Sequence, residues 1–293
     1  MSRGPQLSNS LQNSPRGGKW ASKFEDKPTG KKPAVRPKKF LGQHFLNDLA
    51  IAERIASLVD DKMVHIIEIG PGTGILTRFL FDRFSTRLKC MEIDEEAIQY
   101  LHKQKWAEGM EIWKGDYLEA ADSDWLLFGG QKQALIGNFP YNISTQIVFK
   151  ILEAGLRIDQ FAGMFQKEVA LRLCAAEGNK DYGITSVLLQ AYYTCNFEFT
   201  VNEHSFNPPP RVKSGVIQCR LRQDIPSCKY ESLKVVVKTA FSQRRKTLGN
   251  ALKPLTSARE NFLIPEDWVS MRAEQLSVAD YICLAKIWES TAT

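Results

Sequence analysis

The sequence predicts an α/β fold: a mostly parallel sheet with helices between its strands, followed by a small all-α region. Three observations carry this reading. Short apolar runs at 64–69, 88–93, 110–114, 133–136 and 160–165 read as buried strands, and helical apolar spacing recurs between them. Glycine, acidic and amide residues gather at the carboxyl ends of the first four runs, where open α/β sheets bind ligands. After Asp224-Ile225-Pro226 only helical periodicity remains. The expected organisation is a disordered basic tail over 1–37, a sheet domain over 38–223 and a helical domain over 224–293.

Composition fits that plan. The chain has 293 residues, 43% apolar and 25% charged, as in ordinary globular proteins. No run of 18 apolar residues and no apolar leader segment are visible, so a cytoplasmic protein without a membrane span is expected. The six cysteines are scattered without a C-x-x-C pair, and the four histidines lack metal-ligand spacing. No disulfide framework and no metal are expected, and the protein should be a monomer. The net charge of +6 is uneven: residues 1–39 hold ten Lys/Arg and two Asp/Glu, or +8, leaving −2 for the rest. Such a tail suits sequence-independent phosphate contacts or is a solvated arm.

Residues 1–37 are rich in Ser, Gly, Pro, Asn and Lys, which argues for disorder. Lys38 and Lys39 then lead into Phe40-Leu41-Gly42-Gln43-His44-Phe45-Leu46, either an arm packed on the domain or a lid with a basic entrance. Asn47 or Asp48 can cap a helix carrying Ile51, Ile55, Leu58 and Val59.

The strand Val64 to Ile69 runs into Gly70-Pro71-Gly72-Thr73-Gly74, followed by a helix with Ile75, Leu76, Phe79, Leu80 and Phe84 on one face. Glycines at a strand-to-helix turn let the backbone approach a ligand closely. The G-x-G-x-G spacing differs from the G-x-G-x-x-G of a dinucleotide fold and suits an adenosyl ligand without phosphates, S-adenosylmethionine. Glu92 ends the next strand, 22 residues after Gly70, where a carboxylate can accept from both ribose hydroxyls. Asp116 follows the third strand and is placed to accept from the adenine amino group. Either acid has a plainer reading as a solvated strand end or a helix cap.

The fourth strand ends in Gly137-Asn138-Phe139-Pro140-Tyr141. Asn138 can accept from an amino group, and Pro140 stiffens the turn without supplying an N–H. That leaves the Phe139 carbonyl as a second acceptor, while Tyr141 offers a ring for stacking. The alternative is a strand-to-helix turn with a satisfied Asn cap. A helix carrying Ile143, Ile147, Val148, Ile151 and Leu152 follows, then the strand Gln160 to Phe165 and a further helical pattern through Val169, Leu171 and Leu173. Tyr182 to Tyr193 reads as a helix, and 196–201 and 215–222 read as strands. Between those strands, Phe206-Asn207-Pro208-Pro209-Pro210 is too proline-rich for a helix or central strand. It either presents Phe206 to the cleft or connects a hairpin with Phe206 in the core. In the C-terminal helices, Gln243-Arg244-Arg245-Lys246 is a candidate RNA contact, because Arg holds phosphate bidentately. A solvated helix face is the plainer reading.

These motifs together resemble the small-subunit ribosomal RNA adenine dimethyltransferases of KsgA type. The resemblance runs from Lys38 to about Trp288 through KKFLGQHFL, EIGPGTG, MEID, the Gly115-Asp116 pair, GNFPYNIS, FQKEV, FNPPPRV and AFSQRRKTL. It implies a Rossmann-like S-adenosylmethionine-dependent methyltransferase sheet with a reversed last hairpin and a C-terminal helical domain. It also implies transfer of four methyl groups to two adjacent adenines near the 3′ end of the 16S rRNA, within the immature 30S subunit. The implied cofactor-binding residues are His44, Leu46, Gly70, Gly72, Glu92, Asp116 and Asn138. The implied catalytic set is Asn138, Phe139, Pro140, Tyr141 and Phe206, with RNA held by Lys38, Lys39, Arg244, Arg245 and Lys246.

Three positions depart from the family pattern. His44 stands where Asn is usual, Phe139 fills a place usually Pro or Leu, and Lys213 replaces an Asp. Two alternatives stay open: a large-subunit rRNA adenine methyltransferase of the antibiotic-resistance type, and a non-catalytic RNA-binding assembly or transcription factor on the same fold.

Overall fold

The computed structural model describes residues 35–121, 132–153 and 158–291. Most of the basic tail expected over 1–37 lies outside them. Nine strands are described: β1 (Phe45–Leu46), β2 (His65–Ile69), β3 (Leu88–Glu92), β4 (Glu111–Lys114), β5 (Gln133–Asn138), β6 (Gln160–Gln166), β7 (Tyr193–Val201), β8 (Phe206–Asn207) and β9 (Ser214–Leu221). Seven form one sheet in the order β4-β3-β2-β5-β6-β9-β7. The strands from β4 to β6 run parallel, and β9 lies antiparallel between β6 and β7. This is the expected Rossmann-like sheet with its reversed final hairpin.

Between the strands lie α1 (Leu49–Ala56), α2 (Ile75–Phe84), α3 (Glu95–His102), α4 (Ser144–Glu153), α5 (Lys167–Leu173) and α6 (Ile184–Gln190). Asp48 caps α1 by accepting from the Ile51 N–H at 3.2 Å, and Asp94 caps α3 through the Glu96 N–H at 2.9 Å. The helix expected over 182–193 is shorter, because the chain from Tyr193 onward pairs with β9.

The two sheet faces bury different residues, as the period of two requires. Ile66, Leu88, Cys90 and Ala134 face α1 and α2 in one cluster, whereas Ile67, Met91, Leu135 and Phe161 face α4 and the C-terminal helices in another. Each fully buried large side chain contributes roughly 1.5–3 kcal/mol.

The region after Pro226 is all-α: α7 (Tyr230–Ser242), α8 (Leu248–Ala251), α9 (Lys253–Ala258), α10 (Glu266–Val269) and α11 (Val278–Ser290). It does not stand off as a separate core. Leu233, Val237, Tyr281 and Leu284 join the same apolar cluster as the sheet, and the described residues from Val35 onward form one compact unit. Tyr281 anchors the last helix by donating to the Ala273 carbonyl at 2.7 Å.

Candidate active site

The chain runs β2, β3, β4 toward one edge and then restarts at β5 on the other side of β2. Side by side at this switch in direction, β2 ends at the glycine loop and β5 ends at Asn138. Ligands of open α/β sheets bind at such a point, because neighbouring crossovers leave on opposite faces and open a crevice. A cavity lies there, lined by Gly70, Gly72, Glu92, Asp116, Asn138 and Tyr141 among others.

The glycine loop is shaped by backbone that other residues resist. Gly70 and Gly72 have φ of +67° and +56°. A Cβ on Gly72 would also stand 2.9 Å from the Phe45 ring of the arm. The loop hands its Gly72 N–H to Glu92 Oε2 at 3.0 Å, and Glu92 Oε1 accepts from the Asp94 N–H at 2.9 Å. Glu92 is 4% exposed. Burial pushes its carboxyl above the usual range, and the two N–H donors hold that rise in check. Each oxygen keeps accepting capacity beyond the backbone donor it already holds. Asp116 accepts from the Leu118 N–H at 2.8 Å through Oδ1. Turn capping and cavity lining therefore belong to the same side chain.

The arm over this cavity is fixed by a residue that sequence reasoning missed. Asp94 accepts from the Lys38 ammonium, from Gln43 Nε2 at 2.8 Å and from the Glu96 N–H at 2.9 Å. Burial works against the Asp94 charge, but these donors outweigh it and hold the carboxyl below its ordinary range, while the Asp94 contact raises Lys38. The only sequence signal was a second acid two residues after Glu92, which reads equally well as a helix cap.

At the end of β5, Asn138 Nδ2 donates to the His44 carbonyl at 2.9 Å. A carbonyl can only accept, so this contact fixes which way the amide points and leaves Oδ1 as its accepting pole. The Phe139 N–H donates to the Met164 carbonyl at 3.2 Å, and the Phe139 carbonyl receives no hydrogen bond from the described residues. The Phe139 ring is core, 1% exposed, and packs against Phe165 with centroids 5.0 Å apart. It fills space above Gly137 and Gly163, where a Cβ on either would meet it at 2.9 Å or less. Tyr141 is held from two sides: its hydroxyl meets Ser214 Oγ at 2.5 Å, and the His44 ring stacks on it at 5.7 Å. Burial raises its phenol above the usual value. His44 in turn donates from Nδ1 to the Pro208 carbonyl at 2.8 Å, which ties the arm to the triple-proline segment.

Two predicted residues lie away from the cavity, and two predicted RNA contacts have their charges paired within the protein. Leu46 is buried in β1 beneath the arm, and Phe45 lines the cavity instead, because alternate residues of a strand face opposite ways. Phe206 pairs with Leu46 across β1 and β8 and is 3% exposed in the core, so its ring is not presented to the cavity. The charge of Lys38 is committed to Asp94. Arg244 is committed to Glu274 at 2.5 Å and to the Lys180 carbonyl at 2.6 Å, a structural tie between turns that join the helices. Lys39, Arg245 and Lys246 are exposed. Among the described residues no group of side chains could hold a metal ion, and no helix is long and apolar enough to cross a membrane.

The cavity fits S-adenosylmethionine. A buried carboxylate at Glu92 suits a ribose diol, Asp116 suits an adenine amino group, and a glycine-built wall without side chains admits the ligand close to the backbone. Ile93, 46% exposed beside Glu92, offers an apolar surface to a purine ring.

Comparison with known proteins agrees with this geometry. The family model described as ribosomal RNA adenine dimethylase matches residues 34–289. The Ribosomal RNA small subunit methyltransferase A of Cytophaga hutchinsonii is 47% identical over 260 residues, 86% of this chain and 97% of that protein. Its counterpart from Porphyromonas gingivalis is 47% identical over 253 residues, 85% and 96% of the two chains. In fold, the crystal structure of a dimethyladenosine transferase from Plasmodium falciparum is similar with a TM-score of 0.73 at 23% identity, covering 85% of this chain and 98% of that one. The 23S rRNA methyltransferase ErmE is similar at 0.62, also with 23% identity, covering 84% and 99%. Fold alone also admits a 23S rRNA methyltransferase, whereas the sequence match over nearly all the described residues is specific. On that match, and with the glycine loop, Glu92, Asp116 and Asn138 around one cavity, the chain belongs to the ribosomal RNA adenine dimethylase family.

Proposed function

We propose that the chain dimethylates the 6-amino groups of two adjacent adenines near the 3′ end of the small-subunit (16S) rRNA during ribosome biogenesis. It would act as a monomer on the immature 30S subunit. The observation that carries the reading is the orientation of Asn138: with its nitrogen tied to the His44 carbonyl, its oxygen is the pole left for a substrate amino group.

The bound cofactor supplies a methyl group activated by a sulfonium. The protein supplies position. An adenine amino group is a poor nucleophile because its lone pair is spread into the ring. Asn138 Oδ1 and the Phe139 carbonyl take its two hydrogens, favour a pyramidal nitrogen and aim the lone pair. Such positioning is worth about 7–11 kcal/mol in well-oriented systems. Tyr141, fixed by Ser214 and backed by His44, gives the flipped base a rigid ring to stack on. Base flipping costs a few kcal/mol, and one stack returns about 1–3 kcal/mol. No tuned general base is needed, because the alkylated nitrogen is acidic enough to lose its proton to water. Lys39, Arg245 and Lys246 are the exposed cations that would meet rRNA phosphates.

Two facts favour this reading over its rivals. The relatives of highest identity quoted above carry the small-subunit name. The residues that a non-catalytic factor could afford to lose are all in place around the cavity. The test is radiolabelled methyl transfer to unmethylated small-subunit particles, with primer extension to map the products. Wild type should block extension at two adjacent adenines. Asn138→Ala should lose transfer by ~100-fold or more while cofactor affinity stays within a few-fold. Near-normal transfer by that variant, or modification of large-subunit rRNA only, would refute the proposal.

A further inference from the structure

Phe40 is 78% exposed, the highest exposure among the large apolar side chains described and the one aromatic ring in that group. A phenylalanine left in water forgoes the burial that its ring ordinarily gains, so a loose end of chain would be the simple explanation. The surrounding structure is not loose. Phe40 sits in a tight turn, Lys39–Leu41, closed by the Leu41 N–H to the Lys38 carbonyl at 3.1 Å and the Gly42 N–H to the Lys39 carbonyl at 3.0 Å. The turn is anchored before by the Lys38–Asp94 ion pair and after by Gln43, which bonds both Asp94 and the Lys38 N–H. It is also seated on the reactive turn itself: a Cβ on Gly42 would lie 2.5 Å from Asn142 Oδ1 and 3.7 Å from the Pro140 ring. Phe40 lines the same cavity as Asn138 and Tyr141, and Lys39 beside it is exposed.

We infer that Phe40 is a substrate-contacting residue, a fixed platform at the cavity mouth on which the rRNA base next to the target adenine stacks. The inference rests on the function proposed above. Flipping one adenine into the cavity breaks its stack with the neighbouring base, which then exposes a flat face at the rim. An aromatic ring held there replaces that lost neighbour, and the adjacent ammonium of Lys39 meets the linking phosphate. The requirement is a π-face rather than apolar bulk. That separates this role from a lid folded over the cofactor, for which any apolar side chain would serve.

The experiment compares wild type with Phe40→Ala, Phe40→Leu and Phe40→Tyr on unmethylated small-subunit particles. It reads KM for the particle and, separately, cofactor affinity by calorimetry. Phe40 is exposed, so the substitutions should leave folding intact. The Ala and Leu variants should raise the particle KM by about ten-fold, the order of one lost stack, with cofactor affinity unchanged. Tyr should retain the wild-type KM. A Leu variant with wild-type KM overturns the inference, and so does a loss confined to cofactor affinity, which would give the ring to the cofactor. If wild type itself transfers no methyl to these particles, the underlying functional reading fails, and the inference falls with it.

Discussion

Replacing Gly163 by alanine tests whether the core beneath the reactive turn sets its position. Gly163 pairs with Gly137 across β5 and β6, and the Phe139 ring covers both. A Cβ at 163 would stand 2.5 Å from the Gly137 carbonyl oxygen and 2.5 Å from Phe139 Cε2. Ordinary carbon contacts need roughly 3.5 Å, so about an ångström of movement must be found. The carbonyl belongs to the central strand of the sheet, which is paired on both sides. The ring must therefore yield, and it already packs against Phe165 in a filled core. Overpacking of this kind costs about 1–3 kcal/mol of stability.

The larger effect should be on catalysis. Phe139 is bonded to Asn138 on one side and Pro140 on the other, so displacing the ring drags the accepting groups with it. Misplacement by ~1 Å costs about 10²-fold in rate. Gly163→Ala should thus lower single-turnover methyl transfer by ~100-fold and lower stability in urea by ~1–3 kcal/mol. Cofactor affinity should hold, because Gly70, Glu92 and Asp116 lie on or after other strands. Adding Phe139→Leu should recover part of the rate by relieving the ring clash. A variant that loses stability but turns over at the wild-type rate would show that the ring does not position the turn.

Three further outcomes are expected. Glu68 is fully buried beside Cys90, and burial pushes its carboxyl up to about 8 from an ordinary 4.5. The folded state therefore binds this proton more tightly than the unfolded chain, so the contribution of Glu68 to stability is full below about 4.5 and is lost as pH rises through about 8. Glu68→Gln should abolish a dependence worth a few kcal/mol, and parallel melting curves for both proteins from pH 5 to 8 would exclude it. Asp94→Asn should loosen the arm, speeding amide hydrogen exchange over 38–45 by about ten-fold while β2 and β5 stay protected. Because Asp94 is held below its ordinary value, wild type should loosen the same way only when acidified through that lowered value. Unchanged exchange in the arm would end the idea of a latch. Charge reversal of Arg245 and Lys246 should weaken rRNA binding and flatten its salt dependence, while Arg244→Ala should chiefly lower stability. Equal effects of the two changes on binding and on melting temperature would contradict the assignment of Arg244 to Glu274.

Much of the site is local chemistry and therefore legible in the chain. A strand that ends in glycines, an acid at the end of the next strand and an amide before a proline are each fixed by a few neighbouring residues. Parallel β–α units then place them at one sheet edge without further information. The continuous apolar runs also mark the strands that are buried on both faces.

What the chain could not disclose depends on residues far apart in sequence meeting in space. The pairing of β1 with β8 decides that Phe206 is core and Phe45 faces the cavity, across some 160 positions of chain. The partner of a surface cation, Asp94 for Lys38 or Glu274 for Arg244, is set by packing, and packing decides which charges remain for RNA. The amide of Asn138 was recognisable as an acceptor from its residue type alone. Only the fold, by bringing the His44 carbonyl to its nitrogen, decides which end of it is left for the substrate.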